Sequence, residues 1–154
     1  MSSLVATYDR LVGLVANTYG EAVALLLARV ALAGIFWRSY KTKVVDGTWL
    51  QIEDTQYFLF EDQFSGLPIP TDLAVPMATY AEFLFPILLV LGLATRFSAV
   101  ALMIMTFVIQ IFVFPTSAHF FGWAMVPIAL AAVLIVRGPG LLSADAAFAK
   151  VRGQ

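Results

Sequence analysis

The stretch EAVALLLARVALAGIFWRSYKTKV, Glu21 to Val44, decides the fold. From about Ala22 to Tyr40 it is almost wholly apolar. About 20 helical residues at 1.5 Å each cross the 30 Å hydrocarbon layer of a bilayer. Trp37 and Tyr40 stand where interfacial aromatic residues belong, and Arg38, Lys41 and Lys43 follow in the headgroup region. Arg29 sits near the centre of this span. A guanidinium there costs about 2.5–3.5 kcal/mol on insertion scales, so it must face the bundle or a wet cleft, not lipid. Its side chain leans toward the N-terminus of the helix. One reading is a structural arginine that caps carbonyls or snorkels to the near interface; the other is a ligand site.

Composition extends the membrane reading to the whole chain. Of 154 residues, 61% are hydrophobic and 12% charged, and mean hydropathy is +0.90. A soluble domain carries about 25% charged residues, so this chain cannot cover a water-facing surface. A net charge of −1 gives no basic tail and no nucleic-acid partner. With no cysteine, thiolate metal sites, iron–sulfur ligation and disulfide exchange are excluded for this chain itself. His119 is the single histidine, so one copy cannot supply a bis-histidine haem. A lone His with one Glu falls short of the three or four ligands zinc takes, and no metal site is expected. Ala31-Leu32-Ala33 has the small-x-small form of a signal cleavage site. The apolar run continues past it to Trp37, and Glu21 stands where a basic cluster would precede it, so a retained first span is expected.

The predicted fold class is all-α: a single membrane domain, residues 1–154, built as a four-helix bundle with an amphipathic interfacial helix before it. Leu4, Tyr8, Leu11, Val12, Val15 and Tyr19 recur at helical spacing, with Ser3, Thr7, Arg10 and Asn17 off that face. Gly20 is expected to permit the turn into the membrane. Spans are expected at about 22–40, 77–94, 99–114 and 123–136, with an outer loop over 45–76. That loop holds six acids, and its YFLF and GLPIP clusters predict a short helix lying on the membrane. TRFS (95–98) and PTSAHFFG (115–122) read as tight connections, and RGPG (137–140) stops the fourth span. Four spans put both termini on one side, with Arg10, Arg96, Arg137, Lys150 and Arg152. The Lys/Arg bias predicts cytoplasmic termini in a bacterial inner membrane and a periplasmic loop.

Several pieces together resemble the DoxX family: ARVALAGIFWRSYKTK on span one, YFLFEDQF in the loop, ATYAEFLFPILLVLGLATRFSA on span two, VIQIFVFP on span three and RGPGLLSAD after span four. The resemblance covers about Leu25 to Asp145. The Glu of span two followed by LGLATR, and the closing Gly-Pro-Gly-x-x-Ser-x-Asp, carry most of its specificity. Relatives often have glycine where this chain has Tyr40 and leucine where it has Lys41, while Lys43 falls on the usual family lysine. The resemblance implies a four-helix membrane bundle. It also implies an association with redox machinery, since the family takes its name from a subunit of a quinone-linked oxidase. Other relatives are tied to oxidative or metal stress.

Glu82 and Arg38 are expected to lean toward each other across spans one and two, roughly 6 Å apart in depth from the helical rise. Arg38 is therefore the expected partner of Glu82, with Arg29 second. Gln110 and His119 are expected to join Glu82, Arg38 and Lys43 in one polar cluster in the outer half of the bundle, with Arg29 at the inner end of the same track. Trp37, Tyr40, Tyr80, Phe112, Phe120 and Trp123 lie at the outer depth. Rings flanking a few polar groups suit a quinone head group; they equally suit an aromatic belt around a structural knot. Three functions stay open: a subunit or accessory protein of a redox-linked membrane complex without a catalytic cofactor of its own, a quinone-binding oxidoreductase subunit, and a small transporter or metal-stress accessory. The expected partners are the lipid bilayer and other membrane or periplasmic subunits, or further copies of the chain.

Overall fold

The computed structural model describes residues 3–153. Helix α1 spans Ser3–Val15, α2 Thr18–Lys41, α3 Thr55–Gln63 and α4 Thr71–Leu91. They are followed by α5, Thr95–Val113, α6, Ser117–Arg137, and α7, Ala144–Val151. Helices α2, α4, α5 and α6 are each long and apolar enough to cross a membrane. The protein is an all-α, multi-pass membrane protein. Among the described residues no β-strand forms; a lone antiparallel bridge joins Val44 to Ile52.

The four spans alternate in direction around one core of Leu25, Leu32, Phe36, Leu89, Leu102 and Leu134 with small alanines between them. Lipid is as apolar as these side chains, so close fit supplies the attraction between the helices. A second cluster of Phe60, Ala74 and Val75 docks α3 and the loop onto the start of α4.

The helix ends differ from the sequence expectation for identifiable reasons. The turn between α1 and α2 falls at Ala16–Asn17, not at Gly20. Asn17 caps α2 by accepting from Tyr19 and Gly20 N–H, each at 3.0 Å. Gly20 is inside α2, where a Cβ would lie 1.8 Å from the Val15 carbonyl oxygen. Span two ends at Leu91, three residues early, because Gly92 adopts φ +68. The Leu93 N–H then returns to Leu88 O at 2.9 Å and that of Gly92 to Leu89 O at 3.1 Å, a Schellman closure. TRFS is the first turn of α5 rather than a connection. Thr116 Oγ1 accepts from His119 N–H at 3.1 Å, so α6 starts at Ser117 and the outer turn shrinks to a few residues. Spans three and four each contain a π-helical turn next to that connection, Ile109–Val113 and Phe120–Ala124.

Candidate functional site

The two ends of the bundle treat polar groups differently. At the end that carries the chain termini, Arg29 is fully buried, at 0% exposure. Its guanidinium donates to Leu89 O at 3.2 Å, to Val90 O at 3.5 Å and to Leu142 O. The first two are among the last carbonyls of α4, which have no partner within the helix. A cation also suits the negative end of the helix dipole. Leu142 belongs to the segment after α6, so Arg29 holds that segment against α4. Asp145 completes the clasp. Its carboxylate accepts from Ala94 and Thr95 N–H, each at 2.9 Å, and caps α5 from 50 residues away. Its own N–H donates to Gly92 O at 2.9 Å. A Cβ on Gly92 would sit 2.2 Å from Arg29 Nη1 and 2.5 Å from Ser143 Cβ. That glycine is therefore fixed both by its left-handed backbone and by what is packed on it.

At the opposite end, where the long loop lies, α2, α4, α5, α6 and the loop enclose a cleft of about 980 Å³. Its walls are mainly apolar, with Phe64, Met77, Phe85, Met105, Phe114 and Trp123 among them. Polar groups enter at a few points. The Lys43 ammonium pairs with Glu82 Oε2 at 2.8 Å, and Glu82 is only 2% exposed and Lys43 8%. Ser39, one turn before Lys43, accepts from the same ammonium with its Oγ at 2.8 Å. Arg38 reaches the cleft from the same helix and His119 from the outer turn.

The expected pairing of Glu82 with Arg38, or with Arg29, is corrected: the salt bridge goes to Lys43. Helix α2 ends at Lys41. Beyond that end the backbone curls, with Lys43 N–H donating to Tyr40 O at 2.9 Å and Glu53 N–H returning to Lys43 O at 3.0 Å. Lys43 is thereby folded back over the mouth of the bundle instead of running into the loop. The single polar track is also corrected. Arg29 is committed to carbonyls at the termini end and does not line the cleft. Lys43–Glu82 and Gln110–His119 form two separate pairs, and of Gln110 and His119 only the histidine reaches the cleft wall.

Three contributors were not singled out from the sequence. Ser39 was legible as a hydroxyl four residues before Lys43. Phe60 and Phe64, which stack at 4.2 Å and both line the cleft, were legible as an i, i+4 aromatic pair in the loop helix. Gly66 brings this loop against α5: a Cβ there would meet Phe112 O at 2.7 Å. Among the described residues, no group of three His, Cys, Asp or Glu side chains comes together as a metal site.

The model of the DoxX family matches residues 24–115 of this sequence, more than half of it. The chain belongs to the DoxX family. An uncharacterized protein of Haemophilus influenzae is 31% identical over 138 residues, covering 86% of this chain and 87% of the relative. No solved structure matches. The matched region of this DoxX chain includes Arg29, Arg38, Lys43, Glu82 and Gln110, whereas His119 and Asp145 lie beyond it. Tyr40, where the resemblance leads one to expect glycine, is fully buried. Its ring lies 5.0 Å from Trp37 and 5.1 Å from Phe83, and its hydroxyl donates to Trp49 O. Ring packing thus takes up the space that glycine would leave in this member of the family.

Proposed function

We propose that this DoxX-family protein is an integral subunit or accessory protein of a redox-linked membrane complex, and that it holds a quinone-type ring in the cleft at its loop end. The observation that carries this reading is the cleft itself. Its volume of about 980 Å³ is at the upper end of the range of about 300–1,000 Å³ that small-molecule sites occupy. It has the composition such sites share, an apolar aromatic wall with a few polar groups: Arg38, the Lys43–Glu82 pair and His119. A bound quinone would supply the redox chemistry; the residues named here bind and orient. In this reading the termini lie in the cytoplasm of a bacterial cell and the cleft opens near the periplasmic face, as the Lys/Arg bias favours.

The test is purification from native membranes in mild detergent, followed by solvent extraction of bound lipid-soluble rings and identification of co-purifying proteins. Quinone at close to one per chain is expected for the natural sequence. It should be lost from Ala81→Trp, which fills the cleft at a residue of its wall. Co-purifying protein without any quinone would leave a scaffold subunit. Recovery of neither would overturn the proposal.

A further inference from the structure

The Gln110–His119 pair carries information that the lining of the cleft alone does not. The Gln110 amide nitrogen donates to Phe114 O at 2.9 Å and to Thr116 O at 3.1 Å. Two carbonyl oxygens accept hydrogen bonds only, so they fix which end of the amide is nitrogen. Gln110 Oε1 therefore faces His119 Nδ1, at 2.7 Å. An amide oxygen also accepts only, so His119 Nδ1 must carry the hydrogen. In the neutral ring Nε2 is then left with a bare lone pair, and among the described residues no donor reaches it.

The ring is also clamped in position. It lies between Phe114, at 4.8 Å, and Trp123, at 5.2 Å, and its backbone N–H is held by Thr116. Phe114, His119 and Trp123 all line the cleft, while Gln110 stands behind the ring. Gln110 lies within the first π-helical turn and His119 directly precedes the second. Such turns interrupt the regular helical ladder and occur frequently at functional sites. Here they place the two members of the pair opposite each other across the outer connection.

We infer that His119 Nε2 is a dedicated hydrogen-bond acceptor in the cleft and selects a ligand ring bearing a hydroxyl group, of the phenol or quinol class, over its ether counterpart. The inference rests on the ligand-site reading above and adds a specificity to it. The opposite wall is consistent with this division. Lys43 already spends its ammonium on Glu82 and Ser39, so Arg38 is left as the cationic donor for a second ligand oxygen.

Because the chain has one histidine, ¹⁵N-histidine labelling reports this ring alone. In the whole protein in nanodiscs at alkaline pH, a protonated Nδ1 and an unprotonated Nε2 are expected, and Nε2 should shift when 4-octylphenol is added. The phenol should bind about threefold to tenfold more tightly than its methyl ether, the span expected of one hydrogen bond. His119→Phe, which keeps a ring between Phe114 and Trp123, should erase the preference, so that phenol and ether bind alike. A protonated Nε2 in the free protein overturns the inference, and this measurement needs no variant to fold. Equal binding of phenol and ether overturns it while leaving the cleft as a ligand site. Binding of neither overturns both readings.

Discussion

Replacing Lys43 by methionine removes the cation from Glu82 and keeps most of the side-chain volume. The carboxylate is then a buried group, with 3% of its side chain exposed, that has lost its ammonium partner. Breaking a buried ion pair from one side costs about 3–5 kcal/mol, and Lys43→Met should fall in that range. Glu82→Gln should be milder, about 1–3 kcal/mol, because Lys43 keeps Ser39 Oγ at 2.8 Å and lies closer to the surface. The double variant leaves two neutral groups of similar shape and should cost only about 0–2 kcal/mol, since a buried pair replaced as a unit is often neutral. The coupling energy of the cycle is therefore expected to be at least about 2 kcal/mol. Equilibrium unfolding by SDS titration in mixed micelles measures it, read through the fluorescence of Trp37, Trp49 and Trp123. A Lys43→Met cost under about 1 kcal/mol, or singles that simply add, would refute the claim that this pair is a buried, mutually dependent unit.

Arg29→Met should lower stability by about 1–3 kcal/mol, the loss of the charged hydrogen bonds to Leu89, Val90 and Leu142 O offset by the removal of a buried charge. Its signature is local: amide exchange over residues 138–146 should speed up, Asp145 N–H included, while the cleft end is unchanged, and equal protection in both proteins would show that Arg29 does not hold the segment. The orientation proposed for the membrane is checked by single cysteines, which this cysteine-free chain accepts without background; a thiol at position 54 should react with an impermeant reagent in intact cells, and reaction at position 152 alone would invert the topology.

What was legible in the sequence follows from what is local in the chain. Four apolar runs, their interfacial aromatics and the Gly and Pro that stop them are composition and spacing, and they predict the four-helix membrane bundle. The burial of Arg29 and its reach toward the helix N-terminus were legible too, since an insertion cost and the direction of the Cα–Cβ bond suffice. The partner of Glu82 was not. Choosing Arg38, with Arg29 second, weighed only residues on a straight first span, whereas the turn that follows Lys41 brings Lys43 back. The capping of α5 by Asp145 was hidden for a related reason: it joins residues 50 apart in sequence, and no periodicity encodes such a contact. The π-helical turns escaped because one extra residue per turn leaves no mark on an apolar pattern that is already hydrophobic on every side.

The separation of these features along the bundle axis bears on where function resides. At the termini end, hydrogen bonds tie one segment to the next: Arg29 takes the last carbonyls of α4, Gly92 closes that helix, and Asp145 starts the following one. Those contacts take up the Arg29 Nη groups and the Asp145 carboxylate in joining one segment to the next. At the loop end the helical ladder is interrupted twice, a cleft remains between the spans, and the histidine at its wall has one nitrogen spoken for and one free. A bundle that needed only to stand in the membrane would gain nothing from the second arrangement, because π-helical turns and a partly open interior both give up packing. The cost is understandable if the loop end holds a ligand while the clasp at the other end keeps the four spans in register. Substitutions in the clasp should then act on stability and those at His119 on binding. A His119→Phe protein as stable as the natural one but without its phenol preference is the combination this division requires.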